Sequence, residues 1–182
     1  MKLHEYQSKA ILARYGIPVP LGGVAECAEA AAEIATRLGG RVAVKAQVLV
    51  GGRGKAGGIR VAETPAQAAE QAAAILGLTI KGLSVHKLLI EEGATIAREL
   101  YLGLIVDRTV GRAVMIASGL GGIDIEEVAR THPDQITRLA IDPFLGLREF
   151  QARYLASFLN LPAELYPTLT AIARGLYTVF VE

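Results

Sequence analysis

The 182-residue sequence holds one cysteine, Cys27, and no tryptophan. A lone cysteine excludes an internal disulfide and fits a reducing compartment. No apolar run approaches the ~20 residues that a membrane span needs. The N-terminus, MKLHEYQSK, is polar where a signal peptide requires an apolar core. A cytoplasmic location is therefore expected. Charge of one sign is lacking too. Nineteen basic residues face eighteen acidic ones, for a formal net charge of +1, so no electrostatic footprint for nucleic acid or anionic membrane stands out. The three histidines, His4, His86 and His132, are scattered without metal-ligand spacing, and no metal site is predicted. Internal repeats and low-complexity linkers are absent.

What is present is a soluble globular composition, 52% hydrophobic and 20% charged, in a chain long enough for one ordinary domain or two small subdomains. Cys27, with Ala31, Ile34 and Leu38, falls on the apolar stripe of a helix expected over residues 26–38, which makes it a small core residue.

The most informative stretch is Arg41 to Arg60, RVAVKAQVLVGGRGKAGGIR. Its first half alternates: Val42, Val44, Ala46, Val48 and Val50 belong to one strand face, and Lys45 and Gln47 to the other. Its second half, Gly51–Gly58, has five glycines and two cations, Arg53 and Lys55. Such a loop costs entropy to order, but its bare backbone N–H groups can approach an anion closely. A strand, a fixed lysine and a mobile cationic glycine loop suggest a cradle for polyphosphate. A solvated hairpin loop is the alternative that the residues leave open. As an exposed loop, it is expected to tolerate loss of both Arg53 and Lys55 with little change in stability.

Standard phosphate motifs do not decide the matter. Gly52, Gly54 and Gly57 fit the dinucleotide fingerprint literally, but Ile59–Ala62 reads as strand where a helix is required. Gly54-Lys55 is followed by Ala56 instead of Ser or Thr, and Leu49 stands where a P-loop has its first glycine. A protein-kinase loop would place its lysine after the glycines, whereas Lys45 precedes them.

Along the chain, residues 3–15 read as a helix with Leu3, Tyr6, Ala10 and Ala13 inward and Gly16 as its stop. Thr64, Pro65 and Gln67 mark a strong helix start, with Thr64 as cap. Val85–Glu91 reads as a strand. Arg98–Asp107 and Ala113–Ala117 form an antiparallel hairpin around Thr109–Gly111, which puts Glu99 in phase with Tyr101 and Asp107. A second glycine loop, Ser118–Gly122, leads into an acidic helix at Asp124–Ala129. A strand over Thr137–Ile141 and two helices follow, one at 148–159. The other comes after Pro162 with Leu165, Leu169, Ile172, Leu176 and Phe180 on one face. This order predicts an α+β fold with mixed or antiparallel sheets. The sequence closes on the apolar segment Leu176–Val181, which reads as part of a longer polypeptide, and the unpartnered stripe of that helix makes self-association an expectation.

Several pieces taken together carry a resemblance: LHEYQSKAILARYGIPVP, VKAQVLVGGRGKAGG, IEEGATIARELYLGLIVDR, GGIDIEEVA and IDPFLG. In this order the chain closely resembles, over essentially all its length, the N-terminal ATP-grasp region of β subunits of ADP-forming succinyl-CoA synthetases. The resemblance implies an ATP-grasp fold in two subdomains. Residues 21–95 would form the smaller one with the glycine loop, and residues 1–20 and 96–182 the second.

It also implies the reaction ATP + succinate + CoA = ADP + Pi + succinyl-CoA, through a phosphohistidine on a partner α subunit. No catalytic residue is therefore assigned to this chain. Nucleotide-binding positions carried over are Lys45 and Gly52-Arg53-Gly54 at phosphate, Glu91 and Ala94 beside adenine and ribose, Glu99 on the hairpin, and Pro20, which resembles the ATP-using type over the GTP-using one. ATP or ADP is the implied ligand and Mg2+ the implied metal of the family. The family's metal ligands, and most contacts to succinate and CoA, lie outside the matched segments. Two departures stand out: Leu120 replaces an acid in the second glycine loop, and Leu49 a frequent histidine. The same region of a malate–CoA ligase or citryl-CoA synthetase is an alternative, and so is a non-catalytic nucleotide-binding or docking module.

Overall fold

The computed structural model describes residues 2–182. The fold is α+β, and every strand pairing is antiparallel. The chain divides into two units. One takes the N-terminal residues up to Ile11 with Val19–Thr95, and the other takes Leu12–Pro18 with Ile96–Glu182.

In the first unit, helix α1 (Glu5–Arg14) begins the chain and its first turns belong here. Then come β1 (Gly22–Ala25), α2 (Ala28–Leu38), β2 (Val42–Ala46), β3 (Ile59–Ala62), α3 (Pro65–Ile75), β4 (Thr79–Ile80), β5 (Leu83–Ser84) and β6 (Leu88–Glu92). The main sheet has the order β1-β6-β2-β3. Val42, Val44 and Ala46 alternate inward as the pattern predicts, and form a core with Leu88, Ile90, Ile34 and Ile75. Alanines do the close work: Ala31 and Ala35 of α2 and Ala68 and Ala72 of α3 are all buried, letting both helices lie tightly on the sheet.

The start of α3 is capped as expected. The Gln67 N–H donates to Thr64 Oγ1 at 3.2 Å, while the Gln67 side chain accepts from the Glu63 N–H at 2.8 Å. The β4–β5 hairpin was not predicted. Its two turn residues, Lys81 (φ 47°) and Gly82 (φ 83°), are both left-handed, the geometry of a tight two-residue hairpin. It ends just before the strand expected over Val85–Glu91, which begins only at Leu88 and runs to Glu92.

Two inward faces differ from expectation here. Cys27 is exposed at the N-cap of α2, one residue before the helix, so it is no core residue. Leu3, Ala10 and Ala13 are exposed, and α1 has no buried residue. Its first turns turn polar groups, not apolar ones, toward the sheet. That is why residues up to Ile11 group with the first unit, where the sequence reading placed 1–20 with the second.

The second unit is a three-stranded sheet, β7 (Tyr101–Asp107), β8 (Arg112–Ser118) and β9 (Ile136–Ile141), in that order. Helices α4 (Ile125–Thr131), α5 (Glu149–Phe158) and α6 (Tyr166–Val181) complete it. The hairpin turn closes through Gly111 at φ 64° and a bond from the Thr109 N–H to Asp107 Oδ1 at 2.9 Å. Met115, Ile141, Leu155, Leu159 and Leu169 form the core. The inward face of α6 is rotated from the expected stripe: Leu165 and Phe180 are exposed, whereas Ala173 and Gly175 are buried beside Leu169. Gly175 permits this, since a Cβ there would sit 2.8 Å from Ile17 Cγ1 and 3.1 Å from the Tyr15 carbonyl oxygen.

Candidate functional site

The face of the main sheet opposite the α2–α3 core carries the charged residues. On β2 the alternation that buries Val44 and Ala46 turns Lys45 the other way. On β6 the same rule turns Glu91 to Lys45's side, where it is 1% exposed, the one buried charged side chain among the described residues. Lys45 Nζ lies 2.6 Å from Glu91 Oε2, and Lys9 Nζ of α1 contacts Glu91 Oε1.

Glu5, one turn before Lys9, joins the network from the same helix face. Its Oε1 is 3.0 Å from Lys9 Nζ and 3.5 Å from Lys45 Nζ, and its Oε2 is 2.7 Å from Arg53 Nη2. Burial alone pushes the Glu5 carboxyl upward. The Lys9 hydrogen bond, the charge of Lys45 and the Arg53 hydrogen bond overcome that and hold it at about 2. Burial likewise depresses Lys45, but the Glu91 hydrogen bond and the Glu5 charge raise it above its ordinary value. Both groups are therefore ionised at neutral pH.

Gln47, 3% exposed, anchors the arrangement. Its Oε1 accepts the Tyr6 N–H at 3.2 Å, tying α1 to the end of β2, and its Nε2 donates to the carbonyl oxygens of Lys45 and Ala46. Arg53 Nη1 donates to the Ala46 carbonyl at 2.9 Å. The guanidinium thus folds back onto the strand that precedes its loop.

The glycine loop is knitted to itself. N–H groups of Ala56, Gly57 and Gly58 donate to the carbonyls of Gly52, Gly54 and Arg53, and the Ala46 N–H donates to Gly58. This corrects the expectation of a mobile loop. Among the described residues no backbone carbonyl takes the N–H groups of Gly51, Gly52, Arg53, Gly54 or Lys55. Gly52 sits at φ 81°, a conformation that favours glycine.

The structure thus joins Lys45, Arg53 and Glu91 in one network through Glu5, with Gly52 and Gly54 on either side of Arg53 in the loop. Pro20 and Ala94 are exposed and flank the Gly22–Glu91 end of the β1–β6 ladder, where the Leu21 and Glu92 backbones pair and the Gly93 N–H donates to the Arg41 carbonyl at 2.7 Å. Ala94 is five residues beyond Leu89, the register partner of Lys45, or ~17 Å along the strand.

Glu99 belongs to the second unit. It precedes β7 instead of lying on it, so it is not part of the strand alternation expected for it. Its carbonyl accepts the Gly121 N–H at 3.2 Å and its carboxylate rests against Gly122. The second glycine loop therefore needs its glycines to admit Glu99: a Cβ on Gly121 would lie 2.6 Å from the Glu99 carbonyl carbon.

Sequence reading missed Glu5, Lys9 and Lys81. Lys81 Nζ lies 3.4 Å from where a Cβ on Gly52 would be, which puts a further cation beside the loop. The only signal for Glu5 and Lys9 was their i,i+4 spacing on α1. Among the described residues no group of three or more His, Cys, Asp or Glu gathers as a metal site, and no helix is long and apolar enough to cross a membrane.

Comparison with known proteins fits this geometry. Across 100% of its length the chain is 55% identical to the β subunit of ADP-forming succinate–CoA ligase from Herpetosiphon aurantiacus, covering 48% of that protein. It is 54% identical over 99% of its length to the β subunit of GDP-forming succinate–CoA ligase from Thermus thermophilus, covering 47% of it. The chain spans about half the length of these curated relatives. A solved structure of dinucleotide forming acetyl-coenzyme A synthetase 1 from Ca. Korarchaeum cryptofilum, in complex with coenzyme A, Ca-AMPCP and HgCl+, shares the fold. It gives a TM-score of 0.79 at 21% identity, covering 100% of this chain and 81% of that one. A family model described as an ATP-grasp domain matches residues 2–182, and the chain belongs to the ATP-grasp domain family.

Proposed function

We propose that this chain is the nucleotide-binding part of a succinyl-CoA synthetase β chain, working with an α subunit in ATP + succinate + CoA = ADP + Pi + succinyl-CoA. One observation carries the reading. Lys45 and Arg53 are fixed beside a glycine loop that leaves five successive backbone N–H groups without carbonyl acceptors. Ionised lysine and guanidinium groups with a row of peptide donors form the donor set a phosphate chain requires. The residues present fit a nucleotide of this kind. Lys45, Arg53 and the loop would hold the phosphates, with Glu91, Ala94 and Pro20 toward the base and ribose; Glu99 is the further nucleotide-binding residue that the resemblance carries over. Mg2+, as in the succinyl-CoA synthetase family, would neutralise phosphate charge when bound.

The two relatives above are named for different nucleotides at nearly equal identity. Overall similarity therefore does not choose the base, and Pro20 is the residue on which the ATP assignment rests. A cytoplasmic location follows from the same proposal.

The test is a titration of the chain with ATP, GTP and ADP-ribose, read by amide chemical shifts. ATP should perturb residues 45–58. Lys45→Ala should weaken ATP binding ~10- to 100-fold, as for loss of one charge-assisted hydrogen bond, and ADP-ribose binding less. Equal losses for both ligands would make Lys45 a structural residue only, and tighter binding of GTP than ATP would overturn the Pro20 assignment.

A further inference from the structure

The Lys45–Arg53 pair already holds an anion, and it comes from the chain itself. Glu5 Oε2 is 2.7 Å from Arg53 Nη2, and Glu5 Oε1 is 3.5 Å from Lys45 Nζ. Among the described residues no other carboxylate touches both cations: Glu91 reaches Lys45 and Lys9 but is not paired with Arg53. The five side chains Glu5, Lys9, Lys45, Arg53 and Glu91 carry three positive and two negative charges, a local sum of +1.

We propose that Glu5 is a resident competitor at the phosphate site, a carboxylate that pairs with both Lys45 and Arg53 and that an incoming phosphate displaces. The inference rests on the nucleotide reading above.

Each cation has a second anchor independent of Glu5: Glu91 for Lys45 and the Ala46 carbonyl for Arg53. Losing Glu5 therefore leaves both in place. A phosphate reaching Lys45 and Arg53 also comes within a few ångströms of the Glu5 carboxylate, and like charges at that distance in a half-buried site repel strongly. Glu5 has somewhere to go, because Lys9, one turn along α1, is 3.0 Å from it and keeps it paired. The expected exchange moves Glu5 from Arg53 and Lys45 onto Lys9 alone, with phosphate oxygens taking the vacated donors. No covalent step is involved.

The experiment compares wild type, Glu5→Gln and Lys45→Ala with ATP, ADP and adenosine at low salt. For Glu5→Gln, which keeps the shape of the side chain and removes its charge, ATP affinity should rise about tenfold. ADP should gain less, and adenosine should not change. This scaling with ligand charge is something a merely structural residue would not produce. In wild type, the Glu5 carboxyl carbon resonance should shift on adding ATP and stay put with adenosine, a readout that does not depend on the variant folding. Unchanged or weaker ATP binding by Glu5→Gln, or a Glu5 resonance indifferent to ATP, would overturn the proposal while Lys45→Ala still weakens binding. If Lys45→Ala has no effect either, the nucleotide reading itself fails.

Discussion

Lys45 and Glu91 meet diagonally across the sheet. In the β2–β6 register Glu91 faces Ala43 and Lys45 faces Leu89, yet the ammonium and carboxylate are 2.6 Å apart. The diagonal leaves the other oxygen of Glu91 to Lys9, so both oxygens of a nearly inaccessible carboxylate are satisfied.

Removing one member of this set should cost more than removing two. Glu91→Ala leaves Lys45 facing a carboxylate-sized void and is expected to destabilise by ~3 kcal/mol in urea denaturation. Lys45→Met combined with Glu91→Leu should cost less, because no unpaired ammonium remains at Lys45. A double variant as unstable as the sum of its parts would show that the two are not coupled.

Acid should read out Glu5. Its carboxyl is held at about 2 in the fold against an ordinary 4.5. A depressed acid contributes stability above the unfolded value that is lost as pH falls through the folded one. Wild type should therefore lose up to ~3 kcal/mol relative to Glu5→Gln between pH 4.5 and 2. Lys45 has the opposite sign: raised above 10.5, its contribution is present below that value and is lost as pH rises beyond it. Denaturation midpoints of wild type and Glu5→Gln across the acid range check the first statement, and a pH-independent difference between them would refute it.

The glycines of the loop are not equivalent. A Cβ on Gly58 would lie 2.6 Å from Ile80 Cδ1 and 3.1 Å from Ala46 Cβ, both buried. Gly58→Ala should cost ~1–3 kcal/mol as an overpacked core site. At Gly54 the nearest atom is 3.9 Å away and φ is not positive, so Gly54→Ala should be neutral or stabilise by up to ~1 kcal/mol. Thermal melts of the two variants separate these outcomes.

The two loop cations should also part company. Lys55 is exposed with no ion-pair partner among the described residues, and Lys55→Ala should stay within ~0.5 kcal/mol of wild type. Arg53 holds the Ala46 carbonyl and Glu5, so Arg53→Ala should cost ~1–2 kcal/mol. This revises the expectation that both could be removed without consequence. Equal melting temperatures for the two single variants would restore it.

Periodicity made much of this fold legible. The inward run Val42–Val44–Ala46, the cap at Thr64 and the hairpin through Gly111 all express rules local to a few residues. The misses share one cause, since apolar spacing cannot see a helix face that docks through charge. On α1 it pointed to Leu3, Ala10 and Ala13, which are exposed, and passed over Glu5 and Lys9. On α6 it preferred large residues at Leu165 and Phe180, whereas the buried face carries Ala173 and the close approach to Tyr15 and Ile17 required Gly175. Lys45, Arg53 and Glu91 were readable as a set only through resemblance, because their meeting depends on strand register and on a guanidinium that folds back along its own loop.

The internal bonds of the glycine loop fix when its order is created. With the Gly58 N–H held by Arg53 and the Ala56 N–H held by Gly52, the loop takes its shape in the folding step. An arriving anion then has no search through loop conformations to wait for. What is left to move is the Glu5 carboxylate, and differences in affinity among ligands are expressed mostly as differences in how long each one stays.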